Sequence, residues 1–127
     1  MIVVVTGGRH YPFKHVVDRT LDGLPITTLI HGACGWSADS PKQMRQYDLE
    51  GADKLADDWA LRRGVLVLRV PASWARYNRM AGPMRNAEMM SMRPDAVVAF
   101  PGGRGTRNAV REARMRGIPV IVVEGGG

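Results

Sequence analysis

Five short apolar runs punctuate the chain, at Ile2 to Val5, Thr27 to Ile30, Val65 to Val70, Ala96 to Phe100 and Val120 to Val123. Each of the first four is followed by a glycine or proline turn and then a segment of helical period, so strands and helices alternate. The runs are continuously apolar instead of alternating with polar residues, the pattern of strands in a parallel sheet covered on both faces. Two helices show their buried stripe directly. Ala52, Leu55, Ala56 and Trp59 stand at i, i+3, i+4 and i+7, and Thr106, Ala109, Val110 and Ala113 repeat that spacing. Gly64 and Gly117 are predicted to end helices as left-handed caps. Pro83 suits a first helical turn, so a further helix is predicted to start there and to turn Met84 and Ala87 inward. Five of the eight methionines lie between Met80 and Met92, which reads as a pliable core helix. The expected fold class is α/β: a single Rossmann-like domain over residues 1–127, with about five parallel strands and helices on both faces. Gly125, Gly126 and Gly127 read as a frayed end.

Residues 36–50 break the alternation. The stretch is polar, contains Ser40-Pro41, and is long for a connection in a compact domain, so it is expected to be either functional or disordered. A chain of 127 residues that is 45% hydrophobic suits one domain with its own core. No apolar run approaches the ~20 residues of a membrane helix. The first strand follows Met1 with no leader, so the expected location is cytoplasmic, without membrane contact. Cys34 is the only cysteine, which excludes an internal disulfide and a thiolate zinc cluster, and His10 and His15 are too scattered to suggest a metal site. Lys and Arg total 18 against 12 Asp and Glu, a net charge of +6 that favours anionic partners.

Ligands of parallel α/β sheets collect at the carboxyl ends of the strands, so the strand exits carry the candidate chemistry. The first exit is Thr6-Gly7-Gly8-Arg9, the second His31-Gly32, and the fourth Pro101-Gly102-Gly103-Arg104-Gly105-Thr106. Glycines allow close backbone approach, and the helix that follows points free N–H groups at a ligand, an arrangement suited to phosphate. No Gly-Lys-Ser/Thr follows and the dinucleotide fingerprint spacing is absent, so ATP hydrolysis and NAD chemistry lose weight and no cofactor is expected. Arg85, just inside a helix beginning at Pro83, is unfavourable for the helix dipole, and either answers an anionic ligand nearby or is solvated. Arg9 either contacts phosphate or is solvated. Asp53 either complements its helix dipole or accepts from a ribose hydroxyl or base. Asn86 either holds a ligand oxygen or bonds the helix start, and His31 at a strand end reads more readily as structural than as catalytic. Arg104, Arg107, Arg111 and Arg114 form a basic helix face. With Arg76 and Arg79 beside Trp74 and Tyr77, it allows weak nucleic-acid binding.

These motifs together resemble the SLOG superfamily, which includes the Lonely Guy phosphoribohydrolases and DprA-type single-strand DNA binders. Pro101-Gly102-Gly103-Arg104-Gly105-Thr106 is similar to its PGGxGT motif. The likeness is closer to the YspA-like branch found in bacteria and phages: Val5-Thr6-Gly7-Gly8-Arg9, His31-Gly32 followed by Gly51-Ala52-Asp53, Trp74 upstream of Ala81-Gly82-Pro83-Met84-Arg85-Asn86, and Phe100-Pro101-Gly102-Gly103. Residues 36–50 stand outside the pattern as an insertion. The resemblance implies a homodimer and a nucleotide-type pocket lined by Thr6, Gly7, Gly8, Arg9, His31, Gly32, Asp53, Arg85, Asn86, Gly102, Gly103, Gly105 and Thr106. In the Lonely Guy enzymes an arginine and the glutamate of PGGxGTxxE cleave an N-glycosidic bond. The arginine carries over to Arg85, but the glutamate position is Ala109, and Glu112 lies one turn further on. The expected function is binding of a nucleotide or nucleotide-derived phosphate, with phosphoribohydrolase activity and single-strand nucleic-acid binding as alternatives.

Overall fold

The structure, a computed structural model, describes residues 1–124; the three terminal glycines predicted to fray lie outside the described residues. Five parallel strands form one sheet: β1 (Ile2–Thr6), β2 (Thr28–His31), β3 (Leu66–Arg69), β4 (Ala96–Ala99) and β5 (Val120–Val122). Their order is β3-β2-β1-β4-β5. The chain steps outward from β1 to β3, then crosses back to lay β4 on the other side of β1, so the order reverses between β1 and β4. That reversal opens a crevice at the carboxyl edge of the sheet. The fold is α/β and Rossmann-like, as the run of apolar segments predicts.

Five helices connect the strands: α1 (Lys14–Asp22), α2 (Gly51–Arg63), the single turn α3 (Trp74–Tyr77), α4 (Ala81–Ser91) and α5 (Arg104–Met115). Successive strand residues point to opposite faces, and both faces are covered. Val3 and Val5 of β1 pack with Val16, Val17 and Leu21 of α1 and Ala56 and Trp59 of α2. Val4 packs the other way, with Met89 and Met90 of α4 and Ala109 and Ala113 of α5. A strand enclosed on both sides has no polar face to show, which is why β1 reads as an unbroken apolar run. Gly64 and Gly117 take positive φ, 69° and 72°, directly after α2 and near the end of α5.

Coverage is incomplete at both edges, at β5, where Ile121 and Val122 are exposed, and at β3. Register pairs Ile30 with Leu68, so Leu66 and Leu68 share the face that α4 and α5 bury over the central strands. The segment after β3 forms only one helical turn there, and these leucines stand 61% and 40% exposed.

The helix carrying Arg85 starts earlier than Pro83. A 3₁₀ turn at Asn78–Met80 runs into α4 at Ala81, and Pro83 occupies the third helical position. Its missing N–H belongs to the first turn, where no intrahelical acceptor exists, so the proline fits there as well as at the first position. The change of start resets the buried stripe to Ala81, Gly82, Asn86, Met89 and Met90. Met84 is therefore exposed and Ala87 only partly buried, contrary to the sequence expectation. Met80 and Met92 are exposed as well, so two of the five clustered methionines belong to the core.

Residues 36–50 are folded against the body. Glu50 N–H donates to the Cys34 carbonyl at 2.8 Å, Leu49 is buried, and Asp39 accepts from the Ala75 N–H at 3.1 Å. Among the described residues no helix is long and apolar enough to cross a membrane.

Candidate functional site

A cleft of about 280 Å³ lies at the carboxyl edge of the sheet, bordered by the exits of β1, β2 and β4 and beside the reversal of strand order between β1 and β4. Its walls come from every element that reaches this edge. Thr6, Gly7, Gly8 and Arg9 follow β1, Gly32 follows β2, Asp53 comes from the first turn of α2, Arg85 and Asn86 from α4, and Gly103, Gly105 and Thr106 from the start of α5. Eleven of the thirteen residues singled out in the sequence thus border one cavity.

The loops are tied together by their backbones. Gly8 N–H donates to the Pro101 carbonyl at 2.9 Å, joining the exits of β1 and β4, and the Gly8 carbonyl accepts from Ala52 N–H at 3.1 Å at the start of α2. Gly51 makes that docking feasible: its φ is +61°, and a side chain there would meet the Gly8 and Arg9 carbonyls.

Arg85 forms the floor. Its Nε donates to Asn86 Oδ1 at 2.9 Å and its Nη1 donates to the Gly32 carbonyl. The guanidinium lies so close to Gly32 that a Cβ on that residue would sit 2.5 Å from Nη1. Among the described residues no carboxylate comes within ion-pairing distance of it. Burial pushes its pKa below the ordinary arginine value, and the nearby Asp53 and Cys34 only partly oppose this. An arginine keeps its charge even so, and of its five N–H donors two are used. The rest are left for whatever enters the cleft.

Asn86 sets this geometry. It is buried, and its Nδ2 donates to the Gly105 carbonyl at 3.2 Å and to Asn108 Oδ1 at 2.9 Å, tying α4 to α5. These two bonds run to α5 and not to the start of its own helix. The α5 terminus has no side-chain cap, and its first backbone bond runs from Arg107 N–H to Gly103 at 3.0 Å. The N–H groups of Arg104, Gly105 and Thr106 have no partner among the described residues. They add the partial positive charge of a helix start to that of Arg85.

Arg9 differs from Arg85. Its Nε lies 3.3 Å from Glu50, in a pair about half exposed. It also faces Cys34, whose thiol is pushed up by burial more than Arg9 lowers it, so the cysteine is not an activated nucleophile. Asp53 is buried, and its Oδ2 accepts from the Cys34 N–H at 3.0 Å, which holds the β2 exit to α2.

Two of the thirteen lie elsewhere. His31 is fully buried: Nε2 lies 2.6 Å from Asp57 Oδ2 and Nδ1 accepts from Ala33 N–H at 2.9 Å. Since Nδ1 accepts from an amide, Nε2 is the nitrogen that donates to Asp57. Both nitrogens are spent on structure, and the expectation of a ligand contact is corrected accordingly. Gly102 packs between Gly8 and Thr106, behind the wall of the cleft.

The sequence reading missed Cys34 and Gly35, which extend the β2 exit, and the indoles of Trp36 and Trp74, brought to the cleft by residues 36–50 and by α3. The sequence reading puts Trp74 beside the basic residues and in the YspA-like pattern, but not among the pocket residues. That stripe itself is divided. Arg107, Arg111 and Arg114 line a separate shallow groove of about 910 Å³ along α5 and β5, which Arg76 and Arg79 do not border. Arg76 lies instead over the Tyr77 ring, 5.3 Å from its centroid.

No family model matches the chain. Over 78 residues it is 42% identical to the Gene 61 protein of Mycobacterium phage D29, covering 56% of this chain and 62% of that relative. The chain thus spans less than two thirds of the length of the phage protein. Its fold is similar to that of the tRNA N6-threonylcarbamoyladenosine dehydratase TcdA of E. coli, with a TM-score of 0.54 and 17% sequence identity over 99% of this chain and 52% of that one. At that identity the likeness is one of fold.

Proposed function

We propose that the cleft binds a nucleotide or nucleotide-derived phosphate, with the phosphate between Arg85 and the first turn of α5. The observation that carries this reading is the enclosed guanidinium of Arg85, which borders the cavity with no carboxylate within ion-pairing distance among the described residues. A desolvated cation is costly unless paired, so a site built this way favours an anion. The resemblance to the YspA-like branch of the SLOG superfamily points to the same ligand class and implies a homodimer.

The phosphoribohydrolase alternative has less support. Ala109 is buried in the core and cannot move a proton, and Glu112 lies 3.3 Å from Arg116, further along α5. Single-strand nucleic-acid binding has less support as well, because Arg76 and Arg79 do not border the groove that Arg107, Arg111 and Arg114 line.

Charge-assisted contacts to phosphate contribute about 1.5–3 kcal/mol, so Arg85→Ala is expected to weaken a nucleoside monophosphate by roughly ten- to a hundredfold. The unphosphorylated nucleoside should lose far less. Isothermal titration of both ligands against wild type and variant, with circular dichroism confirming the fold, tests this. Equal losses for the two ligands would remove phosphate from the role assigned to Arg85.

A further inference from the structure

Two of the three tryptophans border the phosphate cleft, and they arrive from different elements: Trp36 from the loop after β2, Trp74 as the first residue of α3. Trp36 is anchored. Its indole N–H donates to the Arg45 carbonyl at 2.9 Å, and the Arg69 guanidinium lies 5.7 Å from its ring centroid. Arg69 is itself held by Asp57 at 2.7 Å, so one face of the indole is fixed against a braced cation. The ring also borders the cleft and is only partly buried. Trp74 lies against Gly82, where an added Cβ would stand 3.3 Å from the ring, yet it remains 41% exposed. Trp59 shows what this chain does with an indole that only packs: it is 3% exposed and donates its N–H to Asp22 at 2.9 Å.

Burying an aromatic ring is among the largest stabilising contributions a side chain offers. Holding two of them at the mouth of a polar cleft forgoes it, unless a planar partner completes the burial.

We propose that Trp36 and Trp74 bind the base of the ligand, so that the cleft selects nucleotides over sugar phosphates. This rests on the phosphate site at Arg85. The base stacks on the open face of Trp74 and against Trp36, while the phosphate lies at Arg85 and the start of α5. Stacking is tolerant of base identity because every base presents a π face. The two indoles therefore confer selectivity for an aromatic base as a class, purine and pyrimidine alike.

The full chain is titrated with adenosine 5′-monophosphate, uridine 5′-monophosphate, ribose 5-phosphate and inorganic phosphate, by calorimetry and by tryptophan fluorescence. Both nucleotides are expected to bind at least about fivefold more tightly than ribose 5-phosphate and to quench fluorescence, whereas ribose 5-phosphate leaves it nearly unchanged. Trp74→Ala should weaken the nucleotides roughly five- to a hundredfold and leave ribose 5-phosphate within about twofold, with Trp74→Phe retaining most of the nucleotide affinity. Trp36→Leu should act in the same direction. Equal affinity of nucleotides and ribose 5-phosphate for the wild type would overturn the base site while leaving the phosphate site standing. Equal losses of nucleotide and ribose 5-phosphate in Trp74→Ala would also overturn it, by making the indole structural. Absence of binding by all four ligands would overturn both readings together.

Discussion

Gly32 decides whether Arg85 can lie where it does. A Cβ at this position would stand 2.5 Å from Nη1, and the guanidinium is held from both ends, by Asn86 at Nε and by the Gly32 carbonyl at Nη1. The neighbouring glycines are not alike: nothing lies within 4 Å of a Cβ built on Gly105, in the first turn of α5. Gly32→Ala is therefore expected to displace Arg85 and weaken phosphate binding, in the direction of Arg85→Ala. Gly105→Ala should instead raise stability by about 0.5–1 kcal/mol, because alanine loses less backbone entropy in a helix. Paired thermal melts and phosphate titrations separate the two variants. If Gly32→Ala binds like the wild type, the contact between the two residues does not set the site. The sequence marks both positions as glycine and gives no sign of this difference, since what separates them is a side chain arriving from α4.

At the scale of elements, legibility follows enclosure. β1, β2 and β4 are buried on both faces and read correctly as apolar runs, but β3 reads the same way although Leu66 and Leu68 are exposed. An apolar run records what the residues are suited to, whereas coverage depends on a helix that here shrinks to one turn. The phase of α4 was illegible for a related reason: Pro83 is tolerated anywhere in the first turn, and the 3₁₀ turn that precedes the helix set its start two residues earlier. The corrected phase distinguishes methionines that look equivalent in sequence. Met89→Ala, emptying a site packed against Val4 and Val97, is expected to cost about 2–5 kcal/mol. Met84→Ala, on the exposed side, should change stability by less than about 0.5 kcal/mol. Urea denaturation of the two variants checks the phase, and similar losses for both would favour the later helix start.

Across the whole molecule the candidate site was easier to read than the framework behind it. Glycine-rich exits announce backbone chemistry at a sheet edge, but Asp57 sits mid-helix and looks like one more surface charge on α2. It is in fact fully buried and joins three elements, lying 2.6 Å from His31 at the end of β2 and 2.7 Å from Arg69 at the end of β3. Burial alone would raise its pKa. The hydrogen bonds from His31 and Arg69, with the charge of the Arg69 guanidinium, outweigh burial and lower it from 3.8 to about 2. A carboxyl group with a depressed folded pKa stabilises the native state fully above its unfolded pKa, and loses that contribution as pH falls toward the folded value. The shift corresponds to about 2 kcal/mol, lost between roughly pH 5 and pH 2. Asp18, held low by Lys14 and Arg62, and Asp22, held low by Arg63 and Trp59, contribute in the same direction, so the wild-type profile alone does not isolate Asp57. The comparison does. Asp57→Asn is expected to be destabilised near neutral pH, since it breaks a buried pair, and to lose less stability on acidification than the wild type. Arg69→Gln, which removes one donor and leaves His31 in place, should lie between them. Urea unfolding at pH 6, 4, 3 and 2 gives the three profiles; if they run parallel, Asp57 is not among the groups whose protonation unfolds the protein in acid.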